Sequence, residues 1–138
     1  MAEQITALLV HAQDETFHDL VRALKLLSIK VVHARGCGEA LVHLKNQPGV
    51  DLVFAGLSLP DGGWEDVLTQ AQKFKKYLPV IVVSSSVDMG LYLDALGQGA
   101  FDYVTPPFLT SDLAHIVRSA IYKELVSVKQ DLTAPPAA

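Results

Sequence analysis

Short apolar runs alternate along the chain with longer stretches of helical period. Ile5 to Val10 is one such run and predicts a buried strand. Asp14 can then cap a helix in which Phe17, Leu20, Val21, Leu24 and Leu27 recur at spacings of three and four. Val31 and Val32 mark a second strand over Lys30 to Ala34, and Glu39, Ala40, Leu41 and Leu44 fit a short helix that ends at Asn46-Gln47-Pro48-Gly49. Leu52 to Ala55 predicts a third strand. Pro60-Asp61-Gly62-Gly63 reads as a loop before a helix carrying Trp64, Val67, Leu68, Ala71 and Phe74. The β-branched run Pro79 to Val83 predicts the fourth strand, and Val87 to Leu96 a helix closed by Gly97 and Gly99. Phe101 to Val104 is the fifth strand. Leu113, Ile116, Val117, Ala120, Ile121 and Leu125 line one face of a last helix.

Five β–α units in succession imply a parallel sheet covered by helices on both faces. The 138 residues suit one compact domain, expected over 1–128. Residues 129–138 have the Pro- and Ala-rich composition of a tail or linker.

Half of the residues are hydrophobic, which supplies a core and excludes a disordered chain. The net charge of −4 gives no footprint for a nucleic acid, and Lys73, Lys75 and Lys76 read as a solvated helix end. A single cysteine, Cys37, forms no internal disulfide and has no partner to resolve it, so an inert thiol is expected. No signal peptide or membrane-length apolar run is evident, and a cytoplasmic protein without membrane contact is the expectation. No Cys/His spacing of a metal site stands out.

Three stretches, in order and at fitting distances, carry a family resemblance. They are Asp51-Leu52-Val53-Phe54-Ala55-Gly56-Leu57-Ser58-Leu59-Pro60-Asp61-Gly62, Pro79-Val80-Ile81-Val82-Val83-Ser84-Ser85, and Gly99-Ala100-Phe101-Asp102-Tyr103-Val104-Thr105-Pro106-Pro107-Phe108. Together they resemble the response-regulator receiver domain of bacterial two-component and phosphorelay signalling, over Ile5 to Leu125. The resemblance implies a flavodoxin-like (βα)5 three-layer sandwich with strand order 2-1-3-4-5 and function at the C-terminal ends of the strands. It also implies a cis bond before Pro107.

Receiver chemistry needs an Asp to accept the phosphoryl group and two acids to hold Mg²⁺ through hard oxygens. It also needs a hydroxyl and a Lys for the phosphoryl charge. Here the acceptor position, four before Pro60, is Gly56; the acid pair falls on His11 and Ala12; the Lys position falls on Pro106. Ser84 keeps the hydroxyl, so four of the five parts are missing. Asp51 lies at the wrong end of its strand, and Asp61 reads as a turn residue, so neither substitutes. Loss of acids and Lys together leaves a pocket close to neutral. No Mg²⁺, no other metal and no catalytic residue is expected.

Ser84 to Ser86 could contact an anion, but loop capping is the plainer reading. His11 could bind a ligand or switch with pH, though such a residue more often fills its site. His18, His33, His43 and His115 are scattered and expected mostly at the surface. In receivers the fourth helix, fifth strand and fifth helix form the usual interaction face. Leu91, Tyr92, Tyr103 and Tyr122 fall there, with Tyr103 at the aromatic switch position and core packing as the competing reading.

The leading expectation is therefore a pseudo-receiver acting through a protein partner or self-association, without phosphorylation. The alternative is a small-molecule sensor using the remodelled pocket. A working receiver with an unexpected acceptor ranks lower. An enzyme ranks last, since no nucleophile–base pair or Gly-rich phosphate loop is present.

Overall fold

The structure is a computed structural model that describes residues 4–12, 15–46 and 49–133, with side chains described as far as Tyr122. Its main sheet has five parallel strands: β1 (Thr6–Val10), β2 (Lys30–Ala34), β3 (Leu52–Gly56), β6 (Val80–Val83) and β7 (Asp102–Val104). They are ordered β2-β1-β3-β6-β7. Setting aside the short strands β4 (Ser58–Leu59) and β5 (Gly62–Gly63), this is the 2-1-3-4-5 order. The helices are α1 (Glu15–Leu26), α2 (Cys37–Asn46), α3 (Trp64–Phe74), α4 (Met89–Gln98) and α5 (Thr110–Thr133).

Side chains alternate across each strand and build two core layers. Leu8, Val10, Val53, Ala55, Val80 and Val82 pack against Ala40 and Leu44 of α2, Trp64, Val67 and Ala71 of α3, and Ala95 of α4. Ala7, Leu9, Leu52, Phe54, Ile81 and Val83 face the other way, onto Phe17, Leu20 and Leu24 of α1 and Leu113 and Val117 of α5. Every residue of β3 and β6 is buried, as two-sided coverage requires. At the entry to β3, the Asp51 carboxylate accepts the Thr6 N–H at 2.8 Å. That bond places Asp51 at the N-terminal end of the sheet.

Three local features differ from the sequence expectations. Residues 58–63 form an antiparallel hairpin, with Ser58 opposite Gly63 and Leu59 opposite Gly62, where a plain loop is expected. α4 begins at Met89 rather than Val87, because the Asp88 carboxylate accepts the Leu91 N–H at 3.1 Å and caps it. It runs through Gly97 and closes at Gly99, whose φ of 112° suits only glycine. α5 continues to Thr133, so residues 129–133, grouped with the tail by composition, are helical. Asp14, the expected cap of α1, and residues 134–138 lie outside the described residues. The Pro106–Pro107 bond is cis.

Phe54 is fully buried at the centre of the sheet. Phe54→Ala is expected to cost about 3–5 kcal/mol, read as a lowered urea midpoint with an unchanged slope.

Candidate functional site

Beyond the C-terminal ends of β1, β3 and β6 lies a cavity of about 190 Å³, lined by His11, Phe17, Gly56, Ser58, Ser84 and Ser85 among others. Ala12 lines it too. The fold thus gathers four of the five positions that the family resemblance assigns to the phosphorylation site, His11, Ala12, Gly56 and Ser84. Pro106 is exposed in the loop after β7 and does not line the cavity.

Phe17 dominates the interior. Its buried ring stacks on the His11 imidazole at 4.2 Å between centroids and 9° between planes. A Cβ added at Gly56 would meet Phe17 Cε2 at 3.5 Å and the Val10 carbonyl oxygen at 3.6 Å. These are ordinary contacts, so a Cβ fits there, next to a phenyl ring. Ser84 is buried, and its hydroxyl donates to the Ser86 carbonyl at 3.0 Å while accepting the Ser86 N–H at 3.3 Å. Its proton is committed to this small turn. Among the described residues, the lining contains no carboxylate and no Lys. This donor set does not fit Mg²⁺, which takes hard oxygen ligands centred on carboxylates. Among the described residues, no three His, Cys, Asp or Glu side chains are grouped to share a metal ion.

The same Ser86 carbonyl accepts the Tyr103 hydroxyl at 3.2 Å, and Tyr103 meets Tyr92 edge to face at 6.1 Å. Tyr103 is buried, while Leu91 and Tyr92 are partly buried against the core. Of the four residues expected on the interaction face, only Tyr122 is largely exposed, at 71%. The exposed apolar groups on and before α4 are instead Val87 at 78%, Met89 at 63% and Leu93 at 61%. The signal was available in sequence. Met89 and Leu93 are four apart and share one face, while Leu91, Tyr92 and Ala95 share another, so α4 is apolar nearly all round.

Asp61 has a larger role than a turn residue. Its Oδ1 accepts the Cys37 N–H at 2.8 Å and its Oδ2 the Gly38 N–H at 3.0 Å. The hairpin tip thereby caps α2 from a distant part of the chain, using donors every helix start leaves open. A Cβ at Gly36 would lie 2.5 Å from Asp61 Oδ1, so that residue must stay small. The two N–H groups, Gly38 first and Cys37 second, hold the Asp61 carboxyl below its usual range. The Cys37 thiol is pushed up to about 11, by burial first and then by the Asp61 and Asp66 carboxylates. It is therefore protonated and unreactive at neutral pH.

A separate depression of about 250 Å³ lies at the other end of the strands, lined by Gln72, Lys76, Tyr77, Pro79, Leu96 and Phe101 among others. It is far from the degenerate positions and brings together no reactive pair.

The fold and the position of the cavity define a receiver-type signalling domain. The chain belongs to the response regulator receiver domain family, whose model matches residues 7–118. It is similar to the regulatory protein AtoC of Escherichia coli, 27% identical over 125 residues that cover 91% of this chain and 26% of AtoC. It is also similar to the transcriptional regulatory protein KdpE of Mycobacterium tuberculosis, 30% identical over 115 residues covering 80% of this chain and 50% of KdpE. The chain thus spans between a quarter and a half of these relatives. Among solved structures, a response regulator from Chloroflexus aurantiacus superposes with a TM-score of 0.78 at 21% identity, covering 87% of this chain and 99% of that one. Among the described residues, no helix is long and apolar enough to cross a membrane.

The depressed Asp61 value fixes the sign of a pH effect. Stabilisation from this cap is complete above the ordinary aspartate range and is lost as the pH falls through the folded value. Asp61→Asn is therefore expected to lower the thermal midpoint at neutral pH and to narrow its gap to the unsubstituted protein in acid. A constant gap at all pH values would refute the charged cap.

Proposed function

We propose that this chain is a pseudo-receiver, a receiver domain that acts through protein contact without being phosphorylated. The observation that carries the reading is the chemistry at Gly56. The acceptor position has no side chain, and a phenyl ring borders the space a carboxylate would enter. With His11 and Ala12 at the acid positions, the described lining residues offer neither Mg²⁺ nor an aspartyl phosphate the carboxylates they need. On this reading the chain catalyses nothing and works in the cytoplasm, without nucleic acid or membrane contact. Its domain is 1–128, and 129–138 have the composition of a tail or linker.

The proposed contact surface is α4 with its approach, between β6 and β7 in the chain. Val87, Met89 and Leu93 are exposed apolar side chains on and before this helix. The helix carries Asp94 and the capping Asp88 and has no Lys or Arg. A matching partner, or a second copy, would be apolar at the centre and basic at the rim. Tyr103, held inward on Ser86, keeps the loop between β6 and α4 in one arrangement. The alternative, a small-molecule sensor, draws on the remaining cavity, where the Ser84 hydroxyl is already committed to Ser86.

Titration with Mg²⁺ and beryllofluoride, followed by NMR, is expected to produce no saturable shifts at Gly56 or Ser84. Saturable shifts there would reveal an acceptor and sink the reading. Met89→Asp combined with Leu93→Asp is expected to abolish self-association or partner binding, with little change in thermal midpoint because both side chains are exposed. Association that survives the double substitution would move the contact surface elsewhere.

A further inference from the structure

β1 and β2 bring two histidines from distant parts of the sequence together. His33 lies in β2 opposite Leu9, and His11 follows β1 with its N–H donating to the Ala34 carbonyl at 3.0 Å. Alternation puts both side chains on the α1 face of the sheet. The rings meet edge to face with centroids 5.6 Å apart, and His11 Nε2 stands 3.4 Å from His33 Nδ1.

That separation has a second meaning. Two imidazole nitrogens bound to one tetrahedral zinc at about 2.0–2.1 Å are held about 3.4 Å apart. The pair already has the spacing of a chelate. Phe17 stacks on the His11 ring, and strand pairing fixes both backbones, so the pair is partly organised before binding. The pair borders a depression of about 520 Å³ that Glu15 and His18 also line. Those two residues are exposed and three apart on α1, so they share a face.

We propose that His11 and His33 bind a borderline divalent transition-metal cation, of the zinc, nickel or copper class, with Glu15 or His18 and solvent completing its coordination. Imidazole nitrogen suits these ions, whereas Mg²⁺ prefers oxygen. His11 occupies a position where receivers carry an acid, so the ligand there has changed from a hard donor to a borderline one. No third ligand is yet in place among the described residues. Rotation of the exposed Glu15 or His18 side chain supplies it, or water does. Arg35 on the rim opposes a cation, and Glu15 offsets it.

The test is calorimetric titration of the untagged chain with zinc chloride, together with NMR of the imidazole nitrogens. One ion per chain is expected, with shifts at His11 Nε2 and His33 Nδ1 and none from magnesium. His11→Gln and His33→Gln should each weaken binding at least about tenfold, the least that even outer-sphere substitutions cost. His43→Gln and His115→Gln should leave it unchanged. Absence of zinc binding, binding that survives both site substitutions, or shifts confined to other histidines would overturn the proposal. Circular dichroism checks that the metal-free variants fold. If one does not, the nitrogen spectra of the unsubstituted chain decide alone. Beryllofluoride reports on Gly56 and Ser84 separately, so the metal site and the pseudo-receiver reading can fail independently.

Discussion

A parallel strand at the centre of a two-faced sheet has no solvent side on which to place a polar group. Its backbone must be satisfied by two neighbours, and each of its side chains must find apolar partners in one of two layers. β3 meets this requirement over its whole length, between β1 and β6. Phe54 and Leu52 serve the α1–α5 layer, and Val53 and Ala55 serve the α2–α3–α4 layer. Everything at the site follows from where this strand stops. Gly56 ends it between the exits of β1 and β6, so His11 and Ser84 reach the same cavity from either side.

The sheet was legible because its rules are local. Runs such as Val80-Ile81-Val82-Val83 are too short and too β-branched for a helix, and they recur between segments of helical period. The strand order needed the family resemblance, since periodicity says which segments are strands and nothing about their neighbours. The hairpin at 58–63 was hidden for a different reason. Its strands have two residues each, too few to show alternation, and its anchor is a carboxylate that bonds a helix start more than twenty residues earlier. Asp61 beside glycine looks like any turn.

The site was partly legible. Residue identity at His11, Ala12, Gly56 and Pro106 was enough to raise the proposal of a receiver without phosphorylation chemistry. It could not show Phe17 stacked on His11, or the Ser84 hydroxyl closed onto Ser86, because both depend on packing between elements. The His11–His33 contact was likewise invisible. The two residues sit on the same face only once β1 and β2 are paired in the register that sets Leu9 opposite His33. On the interaction face, the sequence selected the aromatic side chains, and the fold turned Tyr103 inward onto Ser86 and Tyr92 partly inward against the core.

Ala95 is the only fully buried side chain of α4, whereas α1 buries five and α3 four. The helix therefore buries fewer side chains completely than α1 or α3, with Leu91 and Tyr92 only partly buried against the core. Any molecule that covers Met89 and Leu93 supplies the burial that the fold itself leaves out. If that surface is the proposed contact face, its occupancy and the firmness of α4 are two readings of one equilibrium.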